Sequence, residues 1–236
     1  MGKSVSLVLR SAVFALGLVA VSGVGVKAQA ELAVESYGLR LGYNTGSFDM
    51  AYSSFSNRAN WMGSYTFSGS FGYHIGVSAD IPFSEIELGG DNYMFGINPS
   101  VMFVSKGGER NISYHNPGFA NHGNRGTYKI DAYYLDIPIP LSFKRDLGSY
   151  SVRAEFGPYI AIGLFGEQHV YISGTPIDYK ESSFSSEGLS RIDGGVFYGV
   201  IVEFQEKFFV GVRSGSGLND YKITSYYVTL GYNFKM

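Results

Sequence analysis

The chain contains no cysteine. Disulfides, thiolate metal sites and a lipid-modified N-terminal cysteine are therefore excluded. Charge is scarce as well: Asp, Glu, Lys and Arg make up 16% of residues, against about 25% in soluble domains. The net charge is −2 and no basic tract occurs, which argues against nucleic acid as a partner. Beyond the first thirty residues, no segment approaches the roughly 18 apolar residues that a membrane-crossing helix needs. Linkers, repeats beyond simple hairpins and a second domain are also missing from the pattern.

What the chain has in plenty is glycine and aromatic residues, with 32 Gly, 19 Tyr and 18 Phe. Many rings, much glycine and few charges suit a β protein that shows apolar surface to something other than water. The first residues read as a leader. Lys3 and Arg10 precede an apolar run from Ala12 to Val26, and Lys27-Ala28-Gln29-Ala30 closes it with small residues. That order is the pattern of a secretory signal peptide. Cleavage after Ala30 is expected, leaving a single domain over 31–236.

The last strand sets the theme for the domain. In Ser225–Phe234 one face holds Tyr226, Val228, Leu230, Tyr232 and Phe234, and the other Ser225, Tyr227, Thr229, Gly231 and Asn233. About ten residues with an apolar stripe and aromatic ends match a strand that crosses a bilayer. Lipid tolerates no open backbone edge, so such a strand requires a closed barrel. Its aromatic face is also the part that the barrel-insertion machinery is expected to read, with Lys235 and Met236 following the final ring.

Period-two alternation recurs along the chain. It predicts strands at Tyr37–Asn44, about Tyr65–Ile81, Tyr93–Phe103, about Tyr128–Lys144, Tyr150–Phe165, Val196–Phe204 and Phe208–Arg213, before the last one. The fifth is expected to point Arg153, Glu155, Tyr159 and Phe165 away from its apolar face. Thr45–Ser64, Lys106–Gly126 and Gly166–Ser190 read as long loops. Glu85–Asp91, Arg145–Ser149 and Gln205–Lys207 read as short turns. Pro99, Pro138, Pro140 and Pro158 predict irregular pairing, because proline cannot donate to a ladder.

The expected fold is all-β, an eight-stranded antiparallel transmembrane up-and-down β-barrel with its long loops outside. The face opposite the apolar stripes carries Gly, Ser and Asn, which suits the narrow interior of an eight-strand barrel better than a face in water. Arg40, Arg153 and Arg213 share that inner face with Asp80, Asp136, Glu155 and Glu203. Their positions predict an interlocked charge cluster in the half near the short turns, a plug rather than a pore.

The fourth strand, Tyr134-Leu-Asp-Ile-Pro-Ile-Pro-Leu-Ser-Phe-Lys144, resembles the signature of the PorT-like outer-membrane β-barrel family of Bacteroidetes-type bacteria. Phe103-Val-Ser-Lys-Gly-Gly108, Phe156-Gly-Pro-Tyr-Ile-Ala161 and Leu230-Gly-Tyr-Asn-Phe234 extend the resemblance in the same order. It implies an OmpA-like eight-stranded barrel in the outer membrane and allows a part in type IX protein secretion.

Chemistry of other kinds finds little support. No Gly-x-Ser-x-Gly elbow occurs. His74, His115, His122 and His169 have no spacing that fixes a metal, so neither an enzyme nor a cofactor is expected. Tyr52, Phe55, Trp61, Tyr114, Phe119, Tyr171, Tyr179 and Phe184 stand among Ser, Asn and Gly in the loop regions. Two readings fit them: contact area for envelope or secretion-system proteins, or rings packed together to cap the barrel. Outer-membrane lipid is the remaining expected partner.

Overall fold

The computed structural model describes residues 27–28, 34–51, 64–88, 91–114, 124–173, 178–184, 189–218 and 223–235. Its strands are β1 (Lys27–Ala28), β2 (Ser36–Ala51), β3 (Ser64–Gly69), β4 (Phe71–Leu88), β5 (Asp91–Ile97), β6 (Ser100–Tyr114), β7 (Asn124–Pro138), β8 (Leu141–Asp146), β9 (Tyr150–Ile172), β10 (Asp178–Ser182), β11 (Ile192–Phe204), β12 (Phe208–Gly217) and β13 (Thr224–Lys235). Several of them run end to end and form one stave. β3 with β4, β5 with β6, and β7 with β8 are such pairs, and β2, β9, β11, β12 and β13 complete a ring of eight.

All neighbours in the ring are antiparallel, and β13 pairs with β2 from Thr224↔Ser47 to Lys235↔Ser36 to close it. Closure leaves no ladder edge facing lipid. Of the three stave breaks one falls at Ser70, and the other two at Asn98-Pro99 and Ile139-Pro140, where proline removes a donor. A third irregularity lies between Pro82 and Ser84.

Outside, the wall is apolar where the alternation demanded it. Ile75, Val77, Val200, Val210, Val212, Val228 and Leu230 are exposed, and rings border this band at both ends. Toward the long hairpins, Tyr73, Phe103, Tyr133 and Phe165 form a continuous aromatic contact. Toward the short turns, Tyr93, Phe95 and Phe143 form one group and Phe208, Tyr232 and Phe234 another. Such aromatic rows mark the two interfaces of a membrane barrel.

The short turns are tight. Gly148 has φ 87°, which glycine adopts without steric cost, and its N–H donates to the Asp146 carboxylate at 2.9 Å. At the next turn Gln205 and Glu206 both take positive φ, 52° and 56°, while Lys207 N–H donates to the Phe204 carbonyl at 3.0 Å. The turn expected at Glu85–Asp91 is shorter than that: β4 continues to Leu88 and pairs with β5.

The largest departure from expectation lies at the other end. Lys106–Gly126 is mostly strand, since β6 and β7 stay paired from Met102↔Asp136 to Tyr114↔Asn124. β9 pairs with β7 as far as Ile172↔Gly126, and β10 adds to its far side. The described residues of the expected loop Gly166–Ser190 are therefore largely sheet too. β12 ends at Gly217 and β13 begins at Thr224, so the barrel is tall on the β6–β7–β9–β10 side and low opposite.

The tall part shows no apolar outer stripe because its pattern is inverted. Above Tyr133, β7 turns Lys129 and Asp131 outward and buries Tyr128, Ile130 and Ala132. Water rather than lipid surrounds the wall there, and the apolar residues move inside.

Candidate functional site

Inward side chains fill the barrel in two storeys. The lower one, near the short turns, holds the arginines. Arg153 on β9 pairs with Asp80 on β4 and lies 2.8 Å from the Glu203 carboxylate on β11. Glu203 also meets Lys144 at 2.9 Å and accepts from the Ser151 hydroxyl. Arg213 on β12 contacts Glu155 at 3.0 Å, and Arg40 on β2 stands 3.9 Å from the same carboxylate. Arg40 donates to the Asn98 side chain and lies over the Phe209 ring. The Phe209 ring occupies the space above Gly231, where an added Cβ would come within 2.0 Å of it.

Asp136 was grouped with these arginines on sequence grounds. In the structure it belongs to the upper storey, with a different cation. Lys106 lies 2.9 Å from its carboxylate, and the Tyr227 hydroxyl donates to it at 3.0 Å. Lys106 is also cradled by the Tyr134 and Tyr159 rings, and the Tyr159 hydroxyl donates to Asp193 at 2.9 Å. His74 hydrogen-bonds Thr229 at 3.0 Å, edge-on to Tyr227.

Among the described residues of both storeys, five cations (Arg40, Lys106, Lys144, Arg153, Arg213) face five carboxylates (Asp80, Asp136, Glu155, Asp193, Glu203). A buried charge without a partner costs several kcal/mol, so this balance is what lets so polar an interior exist.

Over the upper storey the chain folds back into the barrel mouth. Phe184 packs edge-on against Tyr134, and the Arg191 guanidinium lies over the Phe184 ring. Ser183 hydroxyl donates to the Asp131 carbonyl at 2.8 Å, and Leu189 is buried beside the ring. Gly163 makes the insertion feasible, since a Cβ there would sit 2.3 Å from the Phe184 ring. Phe184 thus follows the capping alternative. Tyr171 is exposed on β9 and Tyr179 donates to Glu181 on β10. The Tyr114 side chain and all of Tyr52, Phe55, Trp61 and Phe119 lie outside the described residues.

Phe165 faces outward, where an inward position was expected. The β7–β9 register shifts between Tyr133 and Tyr134, which pair with Phe165 and Gly163 and leave Leu164 as an extra residue. One extra residue swaps the faces above it. Phe165 is 56% exposed and joins the outer aromatic row, while Gln168 turns inward to meet the Tyr128 hydroxyl at 2.6 Å.

Sequence reasoning also missed Lys106, Asp193 and Lys144. Continuing the period of two from Met102 and Val104 reaches Lys106, and stepping back from Gly195 and Phe197 reaches Asp193. Lys106 sits where a loop was expected, Asp193 just ahead of the strand expected from Val196, and Lys144 at the very end of its expected strand. Of the last-strand residues, Tyr226, Val228, Leu230 and Phe234 are exposed on the outer wall, and Tyr232 packs between Phe208 and Phe234.

Nothing else described gathers into a reactive site. Among the described residues no three His, Asp or Glu side chains are placed to share a metal. His169 pairs instead with Asp178 at 2.7 Å on the wall's outer face, where Lys129 meets Asp131 at 2.7 Å and Lys180 meets Glu167 at 3.4 Å. Hydrogen bonding to Asp131 raises the Lys129 pKa above its ordinary value. His115 and His122 lie outside the described residues. The space between Met102, Asp136, Tyr159, Phe197 and Tyr227 has no room for a water molecule. At the short-turn end a hollow of about 120 Å³ opens, with Lys144 and Ser151 in its lining.

Among solved structures, the chain is similar to the attachment invasion locus protein Ail of Yersinia pestis, crystallised with the heparin analogue sucrose octasulfate. The identity is 13% and the TM-score 0.37, over 86% of this chain and 100% of that one. It is similar to the Neisserial surface protein A at 12% identity and a TM-score of 0.36, over 85% and 97% of the two chains. No curated protein matches the sequence. The model of the outer membrane protein beta-barrel domain matches residues 28–222. The chain therefore belongs to the outer-membrane protein β-barrel domain family, and its place is the outer membrane.

Proposed function

We propose that the protein is a sealed interaction barrel, whose interior is a plug and whose tall outer wall meets envelope or extracellular partners. The observation that carries this reading is the continuous filling of the interior, from Phe184 through Lys106–Asp136 to Arg153–Glu203. An eight-strand ring has little room to spare, and here the room is taken by paired charges and rings. What such a barrel offers a partner is its rim, and the β6–β7–β9–β10 sheet is the rim's largest feature.

Two measurements test the proposal. Purified protein in a planar bilayer is expected to give brief, rare openings and no steady ohmic current; a stable open channel overturns the plug. Replacing the far part of the β6–β7 hairpin by a short turn should leave a folded, heat-modifiable barrel while abolishing its phenotype in cells. A phenotype that survives the loss of the wall overturns the partner role.

A finer reading makes the protein a PorT-like component of type IX secretion. Its support is the fourth-stave signature Tyr134–Lys144, whose Tyr134 and Asp136 help to build the upper storey. Deleting the gene is then expected to block export of proteins bearing type IX sorting domains. Normal export from the deletion strain would remove this reading and leave the sealed barrel standing.

A further inference from the structure

Proline carries no N–H, so a neighbour facing it across a ladder loses a donor. Three prolines stand in adjacent staves and are each directly opposed to a residue of the preceding stave. Ala79 N–H donates to Pro99 O at 3.0 Å, Asn98 N–H to Pro140 O at 3.0 Å, and Ile139 N–H to Pro158 O at 2.9 Å. The return bond of each pair cannot form. A diagonal line with half its rungs missing therefore crosses four staves, from β4 to β9. β6, β7 and the tall wall lie above this line, and β5 and β8 lie below it.

One of the three gaps is patched. Asn98 donates its side-chain amide to the Ala79 carbonyl at 3.1 Å, the acceptor that Pro99 leaves without its donor. The same side chain accepts from Arg40 through its oxygen. Asn98 is 3% exposed and Arg40 2%, so both contacts are dry. Arg40 has little else: its carboxylate contact with Glu155 is 3.9 Å long, and Glu155 is held closer by Arg213.

We infer that the proline line is a hinge between the outer wall and the lower barrel, and that Asn98 is the latch coupling it to the buried charges. When the wall tilts, the line with missing rungs yields before any fully bonded junction. Stave three then slides on stave two, and Asn98 cannot keep both the Ala79 carbonyl and Arg40. An arginine left with one distant carboxylate in a dry interior draws in water. A push on the outer wall is thereby felt at the short-turn end. The inference rests on the sealed-interior reading and gives that seal a trigger.

Hydrogen exchange by mass spectrometry on the full barrel in lipid nanodiscs tests the hinge. Amides of Ala79, Asn98 and Ile139 are expected to exchange about tenfold faster than those of Val200 and Val202 in the proline-free β11–β12 ladder, the effect of roughly one hydrogen bond. Equal rates overturn the hinge. Bilayer recording tests the latch. Asn98→Leu should raise the frequency of brief openings about tenfold, on the same reasoning of one lost hydrogen bond. Asn98→Asp keeps an acceptor for Arg40 but loses the donor to Ala79, so it should speed exchange without adding openings. An unchanged opening frequency in Asn98→Leu overturns the latch. If that variant does not assemble, Pro99→Ala decides. It restores the N–H and should slow Ala79-region exchange and make openings rarer; no change in either overturns the coupling. Steady current from the unmodified protein would sink the sealed barrel itself, whereas the exchange contrast stands or falls separately.

Discussion

The membrane-embedded and projecting parts of this barrel are built from the same staves on opposite plans. In the embedded part, Val77, Val210 and Leu230 face out while Arg40, Arg153 and Glu155 fill the centre. In the projecting part, Tyr128, Ile130 and Ala132 are buried while Lys129 and Asp131 face out. The ladder is continuous across the change, because backbone bonding is indifferent to which face is apolar. What differs is the surrounding solvent, and with it the force that holds each part. Below, the barrel is kept in shape by closure and by matched charges; above, by burial of apolar area as in a water-soluble protein.

That contrast is open to breakage, beginning with an all-or-none effect. A cysteine at Lys129 should react with an impermeant thiol reagent on intact cells, and one at Ser149 should not. The reverse pattern would turn the molecule over in the membrane. Next in size is Arg213→Ala, which strands Glu155 in the dry interior and should cost about 3–5 kcal/mol in urea unfolding. Lys129→Ala, which breaks an exposed pair, should cost at most about 1 kcal/mol. Similar losses for the two would deny that the dry interior and the outer wall hold their charges differently.

Ile130→Ala follows, with an expected loss of about 2–5 kcal/mol from the cavity it leaves. Leu230→Ala should cost a small fraction of that in the same measurement, because lipid fills the space its side chain vacates. The smallest effect is expected at the Gln205-Glu206 turn. Both residues take the left-handed conformation that Asn and Gly adopt more readily, so Gln205→Asn should gain a few tenths of a kcal/mol. A loss there would mean that Gln205 makes a contact the turn geometry does not reveal.

Legibility in the sequence followed the same division. Where lipid is the solvent, apolar residues recur at every second position, and the faces of Tyr37–Asn44, Phe71–Ile81 and Ser225–Phe234 are as the alternation required. The arginines and their acids were legible for the same reason, as charges in phase with glycine. Above the membrane the contrast reverses and softens. Lys106, Gly107, Gly108, Glu109 and Arg110 include no apolar side chain, a run that is easily read as a polar loop. Lys106 was lost with that loop, and with it the true partner of Asp136. Asn98 is a different case. Its role depends on the Ala79 carbonyl, which Pro99 leaves without a donor, and on a donor from Arg40, and no spacing along the chain discloses that meeting.

Leu164, the extra residue in β9, allows these two plans to share one strand. It acts as a phase shifter. Were β9 to run through Leu164 in unbroken alternation, with no bulge, the lower storey would stay in step and the error would run only upward. Gln168 and Val170 would swing into water, and Glu167 and His169 would be driven under the cap beside Phe184. The same residue therefore partitions what drift can do. Above it, insertions in pairs preserve the inside and outside of the wall, while single ones exchange them. Below it, the counting that the membrane imposes continues undisturbed.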